Sequence, residues 1–195
     1  MFRAILFDLD GTLLAPAIDF KALRNRLSIP PGESILDWVN ALPEEERECR
    51  MNTLVEVEIE AAHRATLLQG TEQTLEWILG HGIQVGILTR NCQEAWEIAS
   101  RRCSLEEIRW VFTRESGIPK PDPRCLEPIM NEWDLSARDI VHVGDYLYDL
   151  LLAEATGMYS ILVHPTGINP FQVDCHFVAR DHEALLGHLK CLEWA

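Results

Sequence analysis

Four short stretches carry the side chains able to do chemistry. The first is Asp8-Leu9-Asp10-Gly11-Thr12, at the end of an apolar run that begins at Phe2. The second is Thr89-Arg90-Asn91, which follows Ile87-Leu88; the third is Lys120-Pro121-Asp122-Pro123; the fourth is Gly144-Asp145, with Asp149 four residues on. Taken singly, each has a structural explanation: Asp-Gly makes a turn, Thr and Asn cap helices, a lone lysine sits in solvent, and Gly-Asp closes a strand. Asp8 resists that explanation, because a carboxylate at the end of a buried strand needs a partner. If Asp8, Asp10, Asp145 and Asp149 converge, their like charges cost about 4 kcal/mol per pair at about 4 Å and an effective dielectric near 20. A hard divalent cation with oxygen ligands relieves that repulsion, and Mg2+ suits carboxylate sites of this kind.

The elements that must position these groups follow from periodicity. Residues 2–9 read as a buried strand broken by Asp10-Gly11. From Ile18 to about Leu68 the pattern is helical, with Phe20, Leu23 and Leu27 on one face and Ile35, Trp38, Val39 and Leu42 repeating the rhythm. Pro30-Pro31-Gly32 and Leu42-Pro43 divide it into three helices, the third long and acidic from about Glu44 to Leu68. Strands and helices then alternate: helix 71–79, strand 83–88, a helix capped by Asn91 and running to about Arg102, strand 110–112, a helix opened by Asp122-Pro123 and running to about Trp133, strand 140–143, helix 149–156, strand 159–163, a short strand at Phe177-Val178, and a helix capped by Asp181. Such alternation implies right-handed crossovers and an α/β, doubly wound, mainly parallel sheet, with a small α-helical cap inserted after the first strand. The expected division is a core of residues 1–15 and 70–195 and a cap of residues 16–69. In a sheet of this class ligands bind at the carboxyl ends of the strands, where all four stretches fall.

Composition narrows the partners. The 195 residues carry a formal charge of -14, from 31 acidic and 17 basic side chains, a field that repels nucleic-acid phosphates and anionic lipid. Six cysteines form no CxxC or CxxH cluster, and the seven histidines show no metal-ligand spacing, so reduced, mostly buried thiols are expected rather than zinc or disulfides. No signal peptide and no membrane span is evident, which makes the cytoplasm the default compartment; a monomer or weak homodimer is expected.

The four stretches, in this order, resemble the motifs of haloacid dehalogenase-like hydrolases: Asp8-Leu9-Asp10-Gly11-Thr12 the first, Thr89 the second, Lys120 the third, and Gly144-Asp145 through Asp149 the fourth. The helical insert is similar to the caps of phosphoglycolate-phosphatase-like and phosphoglucomutase-like members. The resemblance implies a phosphoric monoester hydrolase acting on a small-molecule phosphomonoester. Asp8 is then the nucleophile that forms an aspartyl-phosphate, and Asp10 the acid and base that serves the leaving oxygen and then water. Thr89 and Lys120 are expected to bind the phosphate, with the helix start at Arg90 and Asn91 assisting. Mg2+ would be held by Asp8, the backbone carbonyl of Asp10, and Asp145, with Asp149 behind them orienting water or Lys120.

In the cap, Asp19, Lys21, Arg24 and Arg26 are candidates to reach substrate, Trp38 reads as cap core, and hinges are expected near Ala15-Pro16 and Gln69-Gly70. Asp10 favours phosphate over carbon chemistry, since members that attack carbon need no second acid there. A sugar-phosphate mutase and a non-catalytic phosphate-binding module remain the alternative readings.

Overall fold

The computed structural model describes residues 1–195. The chain runs β1 (Ala4–Phe7), α1 (Phe20–Leu27), α2 (Ile35–Asn40), α3 (Glu44–Ala62), α4 (Thr71–Gly80), β2 (Gln84–Leu88), α5 (Gln93–Arg102), β3 (Trp110–Phe112), α6 (Glu127–Trp133), β4 (Ile140–Gly144), α7 (Leu147–Thr156), β5 (Tyr159–Val163), β6 (Phe177–Ala179) and α8 (His182–Leu189). All six strands pair in parallel, in the order β3-β2-β1-β4-β5-β6. The chain builds outward from β1 in one direction, then starts again at β4 on its other side. The switch point therefore lies between β1 and β4, where a doubly wound sheet opens a crevice.

Strand alternation divides the core. Ile5, Phe7, Val85, Ile87, Val141 and Val143 face α4, α5 and α8, whereas Ala4, Leu6, Leu88 and Ile140 face α6 and α7. With both faces covered, β1 is apolar throughout and fully buried. The three inserted helices hold a smaller cluster of their own around Leu23, Leu27, Leu36, Val39 and Leu54. Asp19 caps α1 by accepting the Ala22 N–H at 2.9 Å, and Ser34 caps α2. Glu44, Glu45 and Glu46 place negative charge on the first turn of α3. The far end of α3 leaves the smaller cluster and packs against α5, with Val55, Ile59 and Ala62 joining the main core.

Three elements depart from expectation. The helix expected to reach Leu68 ends at Ala62, because the chain entering and leaving the insert is extended: Ala15 N–H bonds Thr66 O at 2.9 Å and Leu68 N–H bonds Leu13 O at 2.9 Å. The helix expected from Asn91 begins at Gln93, since the Asn91 side chain is engaged elsewhere. The helix opened by Asp122-Pro123 starts as a 3-10 turn over Pro123–Leu126 and becomes α-helical only at Glu127. Pro128, which has no N–H to donate, sits at that junction. The cysteines are all unpaired, but only Cys92 and Cys125 are buried, and Cys49 and Cys191 are exposed. No helix is long and apolar enough to cross a membrane.

Candidate active site

A cleft of about 450 Å3 opens over the carboxyl ends of β1, β2 and β4 and beneath the inserted helices. Asp8, Asp10, Thr89, Arg90, Asn91, Lys120, Asp145 and Asp149 all line it. Residues up to 141 positions apart in sequence thus meet at one rim of the sheet.

Asp8 follows β1 directly, and its backbone N–H continues the ladder to Val143 O at 2.8 Å. Lys120 is buried, and its Nζ lies 2.6 Å from Asp8 Oδ1 and 2.7 Å from Asp149 Oδ1. The other oxygen of Asp149, Oδ2, accepts the Tyr146 N–H at 3.1 Å and so closes the first turn of α7. His142, on β4, steadies it further. The ring places Nε2 3.2 Å from Asp149 Oδ1 and Nδ1 3.0 Å from Leu6 O. Asp10 lies across the cleft with its carboxylate hydrogen-bonded by the Asn91 side-chain amide. Thr89 is buried; its N–H reaches Phe112 O at 2.9 Å and its Oγ1 accepts the Asn91 N–H at 3.2 Å.

Two glycines make the close approach possible. A Cβ on Gly11, whose φ is +81°, would lie 2.1 Å from Asp145 Oδ2, and one on Gly144 would lie 2.1 Å from the Asp149 Cγ. Only glycine fits either place.

The electrostatics follow from burial and neighbours. Burial pushes the Asp8 carboxyl up to about 6, against the pull of Lys120. Burial raises Asp10 as well, with the Asn91 hydrogen bond opposing and Glu58 adding to the rise. Asp145 is pushed up to about 8, first by burial and then by Asp8 and Asp149. Asp149 goes the other way: burial disfavours its charge, but Lys120 and His142 outweigh that and hold it below the usual carboxylate range. Lys120 is likewise held above its ordinary value, because Asp149 and Asp8 more than offset its desolvation.

Carboxylate oxygens, one each from Asp8, Asp145 and Asp149, lie within 4.8 Å of one another. Lys120 serves Asp8 and Asp149, which leaves the partly buried Asp145 without a cationic partner. A divalent cation with oxygen ligands fits this donor set: it would satisfy Asp145 and relieve the repulsion that raises its pKa.

Glu58, which the sequence did not single out, completes the site, and Arg90 and the candidates on the insert find their partners around it. Glu58, on α3, is buried; its Oε1 accepts from Arg114 Nη1 at 2.6 Å and its Oε2 from the Cys92 N–H at 3.1 Å, at the start of α5. Arg90 spans the cleft. It donates to Lys120 O at 2.7 Å and to Ser34 Oγ at 2.9 Å, lies 3.4 Å from Asp37 Oδ1, and rests over the Tyr148 ring at 4.4 Å. Its guanidinium therefore joins the core to α2. Of the candidates on the insert, Arg24 lines the cleft and donates to Glu33 O at 2.7 Å. Asp19 caps its helix, Arg26 pairs with Glu56 at the surface, and Lys21 does not border the cleft. Trp38 packs against the smaller cluster beneath Arg50.

Residues 2–157 match the family model described as haloacid dehalogenase-like hydrolase, four-fifths of the chain and every residue of the carboxylate cluster. The chain belongs to the haloacid dehalogenase-like hydrolases. Among curated relatives it is similar to a haloacid dehalogenase-like hydrolase domain-containing protein of Arabidopsis thaliana, 26% identical over 181 residues that cover 85% of this chain and 72% of that one. It is also similar to a phosphoglycolate phosphatase of Pseudomonas fluorescens, 27% identical over 186 residues, 82% of this chain and 68% of that one. Among solved structures, a hydrolase from Pseudomonas syringae superposes with a TM-score of 0.80 at 20% identity, covering 97% of this chain and 99% of the other. At that identity the superposition shows a shared fold.

Proposed function

We propose that this haloacid dehalogenase-like hydrolase is a Mg2+-dependent phosphatase that hydrolyses a small phosphorylated metabolite through an aspartyl-phosphate on Asp8. The observation that carries the reading is the placement of Lys120 between Asp8 and Asp149, with Asp145 unpaired beside them. Family membership and the phosphatase named among the relatives support it.

In the first step an oxygen of Asp8 attacks phosphorus and the bond to the leaving oxygen breaks. Asp10, whose carboxyl burial keeps prone to protonation, gives its proton to that oxygen and the alcohol departs. In the second step Asp10 takes a proton from water, which attacks the phosphorus, frees phosphate and restores the Asp8 carboxylate. Lys120 holds Asp8 in place and offsets the charge that gathers on the phosphoryl oxygens. Thr89 would donate its hydroxyl to one of those oxygens. Asp8, Asp145 and the backbone carbonyl of Asp10 would hold Mg2+, with Asp149 behind them, and the ion supplies neutralising charge to the phosphate and a template for its orientation.

The inserted helices, residues 16–69, would act as a cap that excludes water, with hinges near Ala15-Pro16 and Gln69-Gly70. The test is phosphate release from p-nitrophenyl phosphate and a panel of phosphorylated sugars, nucleotides and glycolates, with Mg2+ and with excess chelator. Release that stops on chelation supports the reading. Interconversion of phosphosugar isomers without phosphate release would select the mutase instead, and bound Mg2+ without turnover the non-catalytic module.

A further inference from the structure

The cleft changes character from its floor to its mouth. The floor is carboxylate, lysine and threonine from the strand ends. The outer wall, supplied by the insert and the segment leading to it, is Pro16, Ile18, Phe20, Ile35, Leu36 and Leu54. Phe20 and Tyr146, both on the cleft, are 52% and 47% exposed, so large apolar surface stands in water at the opening.

Three of the cations nearby are already committed. Lys120 lies between two aspartates, Arg114 is paired with Glu58, and Arg90 is spent on Lys120 O, Ser34 and Asp37. Arg24 is the cation on the outer wall without an acidic partner, and it donates to the Glu33 carbonyl. A carboxylate carried by the leaving group would give up its hydration against an apolar wall, with the Asp10 carboxyl on the same cleft. An apolar group would displace water from the same wall at no such cost.

We propose that this site takes phosphomonoesters whose leaving group is an uncharged apolar alcohol or phenol, and discriminates against leaving groups that carry a carboxylate, glycolate among them. The inference rests on the phosphatase reading and adds the substrate class to it. A cleft of about 450 Å3 is in the range that encloses a ligand of tens of atoms, whereas a two-carbon leaving group leaves most of the apolar wall uncovered.

The test uses the full chain with Mg2+ and compares phosphate release from benzyl phosphate, 4-carboxybenzyl phosphate and phosphoglycolate. All three release primary alcohols, and the first two differ only by a remote carboxylate. The expected kcat/KM for benzyl phosphate exceeds that for each of the other two by about tenfold or more, the difference lying mainly in KM. A smaller ratio, or a preference for either carboxylate, overturns the inference while leaving the phosphatase reading intact. A carboxylate preference that disappears in Arg24→Gln would identify that side chain as its receptor. Failure to release phosphate from any of the three or from p-nitrophenyl phosphate would sink the phosphatase reading and this inference with it.

Discussion

Lys120 Nζ lies 2.6 Å from Asp8 Oδ1, in a place where the lysine is only 2% exposed. Because Asp149 flanks it on the other side, one buried cation holds two buried anions. Lys120→Met leaves both carboxylates without it, a loss of about 3–5 kcal/mol in unfolding free energy by chemical denaturation. Phosphatase activity is expected to fall at least about 100-fold. Adding Asp149→Asn to Lys120→Met removes one of the stranded charges, so stability is expected to recover in part while activity does not. Equal stability of the single and double variants would contradict the pairing.

Gly11 sits where Asp145 must come close. Gly11→Ala places a methyl against the Asp145 carboxylate and strains a backbone at φ +81° by about 1–2 kcal/mol. The expected result is unchanged secondary structure by circular dichroism, with Mg2+ affinity reduced about tenfold or more in calorimetric titration. Undiminished Mg2+ binding would show that Asp145 is not needed for it.

Arg90 and Asp37 join the core to α2 unequally. The arginine is 17% exposed and has three further partners, whereas Asp37 is 57% exposed. Asp37→Ala is therefore expected to change stability by less than about 1 kcal/mol. Arg90→Ala is expected to speed proteolytic cleavage within residues 16–69 severalfold and to raise KM. Equal protease sensitivity of the two variants would remove Arg90 from this role.

Much of this site was legible because a parallel sheet sends every strand end to the same edge. Asp8, Thr89 and Asp145 each follow an apolar run, so their convergence could be read from the alternation of strands and helices. Lys120 needed the resemblance, since it follows no strand directly and stands alone in its loop. Glu58 was illegible for the opposite reason. It is one acid among many on a long acidic helix, and only the docking of α3 on α5 sets it apart. His142 sits inside an apolar strand, where its sequence neighbours give no hint that its ring reaches Asp149. The destination of Arg90 was equally hidden, because Ser34 and Asp37 belong to another part of the chain. The extended segment at Thr66–Leu68 looked helical because its pairing with Leu13–Ala15 is long-range.

His182 ties α8 to the first motif: its Nε2 lies 2.7 Å from Thr12 O and its Nδ1 3.2 Å from Thr74 Oγ1. Burial lowers its pKa below the usual 6.5, against the raising effect of the Thr12 carbonyl. The folded state thus binds its proton less readily than the unfolded state. The stabilisation is complete above pH 6.5 and is lost as the pH falls toward the folded value. His182→Gln is expected to lower Tm at pH 8, and the gap to the parent protein is expected to narrow as the pH drops from 7 to 5. A gap that stays constant or widens in that window would contradict the sign.

On the proposed route Asp8 itself takes the phosphoryl group. Turnover with Mg2+ and a good substrate, stopped by rapid acid quench and followed by peptide mass spectrometry, reads this directly. The expected result is one phosphoryl group on Asp8 in the parent protein, none in Asp8→Asn, and no phosphate release by that variant. Phosphate release that survives Asp8→Asn, or a phosphoryl group found on another residue, would contradict it.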